Sequence, residues 1–154
     1  MPSPVWRPRA MALCCLWLAA MAPQVKAQSP GAGRVKVVAG TATIVREGQA
    51  TPAVVGALVH ETDVLRTGGD GQLAIMLKDE SRLSMGPNSE VTVATFTYAP
   101  SEGRMGLVLR MARGVFSYVS GRIAKLMPEA VRLETPTSIV GVRGTHALVK
   151  VDAP

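Results

Sequence analysis

Two histidines, His60 and His146, are the first candidates for metal or acid–base chemistry. His60 is followed by Glu61 and Asp63, so carboxylate and imidazole ligands lie close in sequence. The segment H-E-T-D-V lacks the second histidine that zinc-protease helices carry, and His146 is far along the chain. Both histidines are therefore predicted to be surface residues of strands, and no metal site is expected.

The serines and acidic residues also lack the surroundings of a catalytic site. Neither G-x-S-x-G nor S-x-x-K occurs in the sequence. The segments Asp70-Gly71 and Asp79-Glu80-Ser81 do not alternate oxygen ligands as a calcium loop does. Residues 141–145 have neither the lysine nor the following helix of a phosphate-binding loop. The sequence therefore predicts no catalytic residue, no cofactor and no enzyme activity.

Residues 1–27 are typical of a secretory signal peptide. Arg7 and Arg9 precede an apolar run over residues 10–22, which is shorter than the ~20 residues of a membrane-spanning helix. Small residues at Val25 and Ala27 predict cleavage after Ala27, with residues 28–34 as a flexible lead-in. The chain is therefore expected to be periplasmic or secreted, without a transmembrane segment after cleavage.

Removal of the signal peptide changes the cysteine content and the net charge of the chain. Both cysteines, Cys14 and Cys15, lie inside it, and neither follows the small residue that lipidation requires. Without Arg7, Arg9 and Lys26, 14 Lys and Arg residues face 11 Asp and Glu residues, a net charge of +3. That charge is ordinary for a domain, and the mature part has only four aromatic residues. No nucleic-acid partner is predicted.

The sequence predicts that the secondary-structure elements carrying these candidate side chains are strands. Apolar residues recur with period two, and Gly or Pro residues interrupt them about every 8 to 12 residues. Only residues 122–127 could form one turn of helix. An all-β domain over residues 35–151 is predicted, and a sandwich, a flattened barrel and a β-solenoid fit equally well. Strand-like stretches cover residues 34–37, 41–45, 73–77, 91–93, 107–111, 116–118, 131–134 and 147–151.

Two longer stretches, residues 55–91 and 133–151, carry more specific motifs. The second contains T-P-T-S-I-V-G-V-R-G-T, and M-A-R-G-V-F precedes it at residues 111–116. Together they resemble the FecR domain, a bacterial periplasmic all-β domain. The resemblance covers about residues 35–151. It implies an exported module of the bacterial cell envelope that binds protein or takes part in signalling.

The motif residues are expected to be structural or to bind a partner. They are Asp63, Thr67, Gly68, Asp79, Ser81, Gly114, Pro136, Gly141, Arg143, Gly144 and Thr145. Asp63 with Thr67 and Gly68 is expected to fix a tight turn, and Asp79 with Ser81 an Asx turn between two strands. Pro136 is expected to impose extended backbone, and Gly141 and Gly144 to permit close backbone approach. Arg143 is expected to donate to carbonyls or a carboxylate, with partner binding as the alternative.

The chain departs from the family pattern at two turns. Thr62 stands where the family usually has glycine before the acid, and Glu80 replaces the glycine of D-G-S. Three functions remain open: a non-catalytic domain that binds another envelope protein, a structural or scaffolding protein, and a small hydrolase acting on the cell wall. The first is favoured, because no nucleophile, carboxylate pair or metal cluster is found for the third.

Overall fold

The computed structural model describes residues 1–2 and 30–152. The predicted signal peptide lies outside the described residues, apart from Met1 and Pro2. The first strand begins at Gly33, two residues before the predicted domain start at residue 35. A short run of strand-forming residues thus extends into the expected lead-in.

Twelve strands account for most of the described chain. They are β1 (Gly33–Ala39), β2 (Ala42–Arg46), β3 (Gln49–Pro52), β4 (Leu58–Val59), β5 (Val64–Thr67), β6 (Gln72–Leu77), β7 (Arg82–Met85), β8 (Glu90–Ala99), β9 (Arg104–Val119), β10 (Val131–Glu134), β11 (Ile139–Gly141) and β12 (His146–Val151). The helix α1 (Arg122–Leu126) and two 3₁₀ turns (Pro100–Glu102 and Pro128–Ala130) complete the list.

The strands form two sheets that share the long strand β9. The first sheet has the order β4-β1-β6-β7-β9-β12, and the second has the order β3-β2-β5-β8-β9-β10-β11. Neighbouring strands are antiparallel except β9 and β10. The exchange between sheets occurs at Gly114, where φ is +107° and an added Cβ would lie 2.0 Å from the Ser89 hydroxyl oxygen. Glycine permits both the bend and the close approach.

One apolar core lies between the inner faces of the two sheets. Every second residue of the central strands is buried, as period-two side-chain alternation requires. Leu73, Ile75 and Leu83 come from the first sheet, and Leu65 and Leu109 from the second. Phe116 and Tyr118 on β9 are fully buried between them. The core therefore has a single centre beside the shared strand.

The all-β prediction is confirmed. The curled antiparallel sheet corresponds to the sandwich and barrel alternatives more closely than to a solenoid, whose coils stack in parallel. Within residues 122–127, Arg122–Leu126 form the single helical turn that the sequence allows. In the part of the chain that the structure describes, this five-residue helix is the only α-helix, far shorter than the ~20 residues of a membrane span.

Candidate interaction surface

Asp63 organises the turn before β5. Its carboxylate accepts two hydrogen bonds from Arg46, from Nε at 2.8 Å and from Nη2 at 2.7 Å. It also accepts one from the backbone N–H of His60 at 2.8 Å. Asp63 is fully buried, and its hydrogen bond raises the pKa of Arg46. This bidentate contact connects the end of β2 to the turn before β5, so the role of Asp63 is structural.

His60 differs from its prediction as an exposed strand residue. Its side chain is only 12% exposed, and Nδ1 lies 3.8 Å from Oδ2 of Asp63, beyond hydrogen-bond distance. The histidine follows the two-residue strand β4 in a turn that folds back over Asp63, and this burial could not be read from the sequence. Among residues 1–2 and 30–152, no group of three His, Cys, Asp or Glu side chains could hold a metal ion.

Thr67 lies at the opposite end of β5 from Asp63, so the two residues hold different turns. The Thr67 hydroxyl donates to the Gly86 carbonyl at 2.7 Å and accepts from the Ser89 N–H at 2.9 Å. The backbone N–H of Gly68 donates to the Thr41 carbonyl at 2.9 Å. The predicted single turn is therefore corrected to two, because Asp63 precedes strand β5 and Thr67 is its last residue.

Asp79, Ser81 and Tyr118 form a buried hydrogen-bonded cluster under helix α1. The Asp79 carboxylate accepts from the Ser81 N–H at 3.1 Å and from the Ser81 hydroxyl at 2.6 Å. This contact confirms the Asx turn between β6 and β7. The Ser81 oxygen lies 3.0 Å from the Tyr118 hydroxyl, and burial raises the pKa of Tyr118 to about 12. The serine is fully buried and its partners include no histidine, so the cluster joins strands and has no exposed nucleophile.

The segment after β10 is more exposed than its motif predicts. Pro136 lies in the tight turn between β10 and β11, where the Thr135 N–H donates to the Ser138 carbonyl at 2.8 Å, and not in extended backbone within a strand. Gly141 has open space at its Cβ position, so the expected close approach is wrong there. At Gly144 the space is also open, and it is the φ of +141° that favours glycine.

Arg143 and Thr145 lie in the same exposed loop. The Arg143 side chain is exposed, and no described residue accepts a hydrogen bond or ion pair from it, so the expected structural contacts are not formed. The loop is held instead by Ser120, whose N–H donates to the Thr145 carbonyl at 3.0 Å and whose hydroxyl donates to the Gly144 carbonyl at 2.7 Å. The neighbouring Val142 is only 5% exposed and anchors the loop to the core, a role not predicted from the sequence.

The outer face of the first sheet carries an unbalanced charge. No Asp or Glu occurs in any of its strands, including residues 114–119 of β9. We call the outward cations the cationic face: Arg34, Lys36, Lys78, Arg82 and Lys150. Arg34, Lys36 and Lys78 line a cleft of about 330 Å³ together with the side chains of Leu58 and Met76. This face could accept an acidic partner.

The second sheet is different, because most of its outward cations have an acidic ion-pair partner. Glu90 lies 3.1 Å from Arg66 and 3.5 Å from Arg113, and Glu134 lies 2.8 Å from Arg110. On the cationic face, Lys150 alone has an ion-pair partner among the described residues, Asp152 at 3.1 Å. This charge difference between the two sheets depends on which strands belong to which sheet. That assignment requires the tertiary structure.

Comparison with protein families agrees with the motifs. The family model described as FecR protein matches residues 63–154, which is more than half of the chain. The match begins at Asp63 and includes all the motif residues named above. No curated protein and no solved structure matches the chain.

Proposed function

Because the chain belongs to the FecR family, we propose that it is an exported, non-catalytic module of the bacterial cell envelope that binds another envelope protein. The family is generally a regulatory one in envelope signalling, and a regulatory role in the periplasm is part of the proposal. No cofactor is required for binding of this kind. The partner is a protein whose contact surface is acidic.

One observation supports the proposal: the buried polar motif residues form hydrogen bonds within the chain, whereas the exposed motif residue Arg143 and the cationic face are left available. Asp63, Asp79 and Ser81 are fully buried and hydrogen-bonded to their own chain. A buried side chain that is hydrogen-bonded to its own chain stabilises the fold and is not accessible to a substrate. The exposed cations and the apolar side chains between them have the composition of a protein contact surface.

The proposal is tested by binding of the purified, labelled protein to envelope fractions. Saturable binding that is lost when the fraction is first treated with protease would support a protein partner. Binding that survives protease, self-association alone, or turnover of muropeptides would contradict it. The two latter results would instead favour a scaffolding protein or a hydrolase.

A matched pair of charge reversals locates the contact. Lys36→Glu with Arg82→Glu changes the cationic face, and Arg104→Glu with Arg132→Glu makes the same change of charge on exposed residues of the second sheet. We expect the first pair to weaken binding and the second to leave it near that of the parent. Equal effects of the two pairs would show that net charge alone governs binding.

A further inference from the structure

The cleft on the β4 side of the first sheet brings three cationic side chains together. Arg34 and Lys36 lie on β1, and Lys78 directly follows β6. The side chains of Leu58 and Met76 line the same cleft, whose volume is about 330 Å³. All three cations are exposed, and no residue within 30–152 forms an ion pair with any of them.

The acidic residues of the nearest turn have other partners. Asp79 directly follows Lys78, but its carboxylate is buried and accepts a hydrogen bond from Ser81. Glu80 forms an ion pair with Arg122 at 2.9 Å. This turn therefore does not neutralise the three cations of the cleft, and a partner can do so.

Arg34 is held in position between the two apolar side chains of the cleft. Its Nη1 donates to the Gly56 carbonyl at 3.1 Å, which is the only hydrogen bond of its side chain to a described residue. It lies opposite Leu58 on β4 and opposite Met76 on β6. A guanidinium carries five N–H donors, so this contact fixes the group and leaves donors for a carboxylate.

The three cations follow the direction of the strands at nearly equal steps. Lys78 continues the pairing of β6 with β1, because its N–H donates to the Ala32 carbonyl at 2.9 Å. Lys78 therefore lies two residues from Arg34 along the strands. Lys36 lies two residues from Arg34 in the opposite direction, at the bulge of β1. Two residues of an antiparallel strand span about 6.8 Å, so positive charge repeats at about this distance.

The spacing and the width of the cleft favour an extended acidic segment. Alternate side chains of an extended chain point to the same side and are also about 6.8 Å apart. Leu58 and Met76, which flank Arg34, belong to strands that are about 9.6 Å apart. An α-helix with its side chains is about 10–12 Å wide and would not fit between them.

The protein itself has no segment of this kind. Its acidic residues are two positions apart only at Glu61 and Asp63, and Asp63 is buried against Arg46. Three acidic residues at alternate positions do not occur anywhere in the sequence. A second copy of the chain therefore cannot fill the cleft in this way, and the occupant is a different protein.

On the basis of the proposed binding function, we infer that the partner protein presents an extended segment with acidic side chains at alternate positions, and that this segment lies lengthwise in the cleft. Its middle carboxylate pairs with Arg34, and the outer two pair with Lys36 and Lys78. Leu58 and Met76 flank the segment and reduce the access of water to these ion pairs, which strengthens them. The spacing of the acidic residues, and not only their number, thus selects the partner.

The test compares two capped peptides of equal composition and charge. One alternates glutamate with threonine (E-T-E-T-E), and the other places the glutamates together (E-E-E-T-T). We expect the alternating peptide to bind the purified protein at least about fivefold more tightly, because only its carboxylates match the three cations. In an NMR titration, the amide signals of residues 31–36 and 76–78 should shift.

A matched pair of double variants locates the peptide on the cationic face. Lys36→Gln with Lys78→Gln removes two charges from the cleft and should lower the affinity for the alternating peptide about fivefold or more. Arg82→Gln with Lys150→Gln removes the same charge from the same face outside the cleft and should leave the affinity close to that of the parent. All four side chains are exposed, so both double variants should melt with the parent, and the melts verify their folding.

Equal affinity for the two peptides, equal effects of the two double variants, or no peptide binding would overturn the inference. The proposed function can be judged separately from envelope binding. If neither peptide binds while the protein still binds a protease-sensitive component of the envelope fraction, the proposed function stands and the cleft is not the binding site. If binding to the envelope fraction is also absent, both fail.

Discussion

Thr62 and Glu80 occupy left-handed backbone that glycine adopts more easily. Their φ angles are +72° and +69°, and these are the two positions where the chain departs from the glycines of its family. A β-branched residue such as threonine is especially unfavourable there. The turns nevertheless form, because Asp63 and Asp79 each accept hydrogen bonds from the backbone of the same turn.

We therefore expect Thr62→Gly to stabilise the protein. Relief of the left-handed strain outweighs the added freedom of the unfolded chain, and the gain in the free energy of unfolding should be about 0.5–1 kcal/mol. Denaturant unfolding measures it. Thr62→Ala retains a Cβ at the same φ and should gain much less. A Thr62→Gly protein no more stable than Thr62→Ala would contradict the strain argument.

Tyr118 provides a pH-dependent contribution to stability. Burial raises its pKa from 10.0 to about 12, and Ser81 is its hydrogen-bond partner. The native state thus holds the phenol proton more tightly than the unfolded state does. This contribution is fully present below pH 10 and is lost as the pH rises from about 10 to 12.

In the parent protein we expect the free energy of unfolding to fall through this pH range, by up to roughly 3 kcal/mol from this residue. Tyr118→Phe should be about 1 kcal/mol less stable at neutral pH, because the Ser81 contact is lost, and should show a smaller fall. Unfolding curves at several alkaline pH values give both quantities. The two proteins differ only at residue 118, so the difference between their pH profiles isolates Tyr118. Parallel pH profiles would show that Tyr118 is accessible to solvent.

At the scale of the elements, the loop between β11 and β12 depends on its backbone more than on its packing. Gly144 has a φ of +141° with open space around it, whereas Gly141 has open space and no unusual φ. The two glycines are three positions apart in the same motif, and their roles differ. One fixes the entry into β12, and the other is a replaceable residue of an exposed strand.

We expect Gly144→Val to lower the free energy of unfolding by about 1–3 kcal/mol, because valine cannot adopt this φ without strain. Gly141→Val should change it by less than about 0.5 kcal/mol, since a β-branched residue suits a strand. Thermal melts of both variants and of the parent protein measure these differences in stability. If the Gly144 variant melts with the parent, the loop rearranges freely and does not fix β12.

At the scale of the whole molecule, the two sheets differ in the charge of their outer faces. In the second sheet, Glu90 and Glu134 form ion pairs with three of the outward arginines, whereas the strands of the first sheet contain no acidic residue beside the cationic face. Because of this difference in charge, the proposed function places the partner on the face of the first sheet.

Export is the prediction that belongs to the whole chain. The n-region, apolar run and small residues of positions 1–27 predict cleavage after Ala27, so N-terminal sequencing of the periplasmic protein should begin at Gln28. Replacement of Ala27 by a bulky residue should leave the precursor uncut. A protein that stays with the membrane and still begins at Met1 would contradict the prediction.

The sequence by itself determined the strands and several turns, because these depend on neighbouring residues. Period-two alternation identified Leu73 to Leu77 and Phe116 to Tyr118, and the D-E-S segment predicted the Asx turn. The family also followed from local motifs. Such signals are short-range, since side-chain alternation and turn hydrogen bonds involve residues only a few positions apart.

Only the tertiary structure decided which strands are neighbours, and the candidate surface depends on that. Arg46 meets Asp63 across 17 positions, and Asp79 and Ser81 meet Tyr118 and helix α1 from about 40 positions away. Arg143 was expected to be held by contacts and is exposed instead. The cationic face arises from strands scattered over residues 33–151, because pairing between distant strands leaves no local pattern in the sequence.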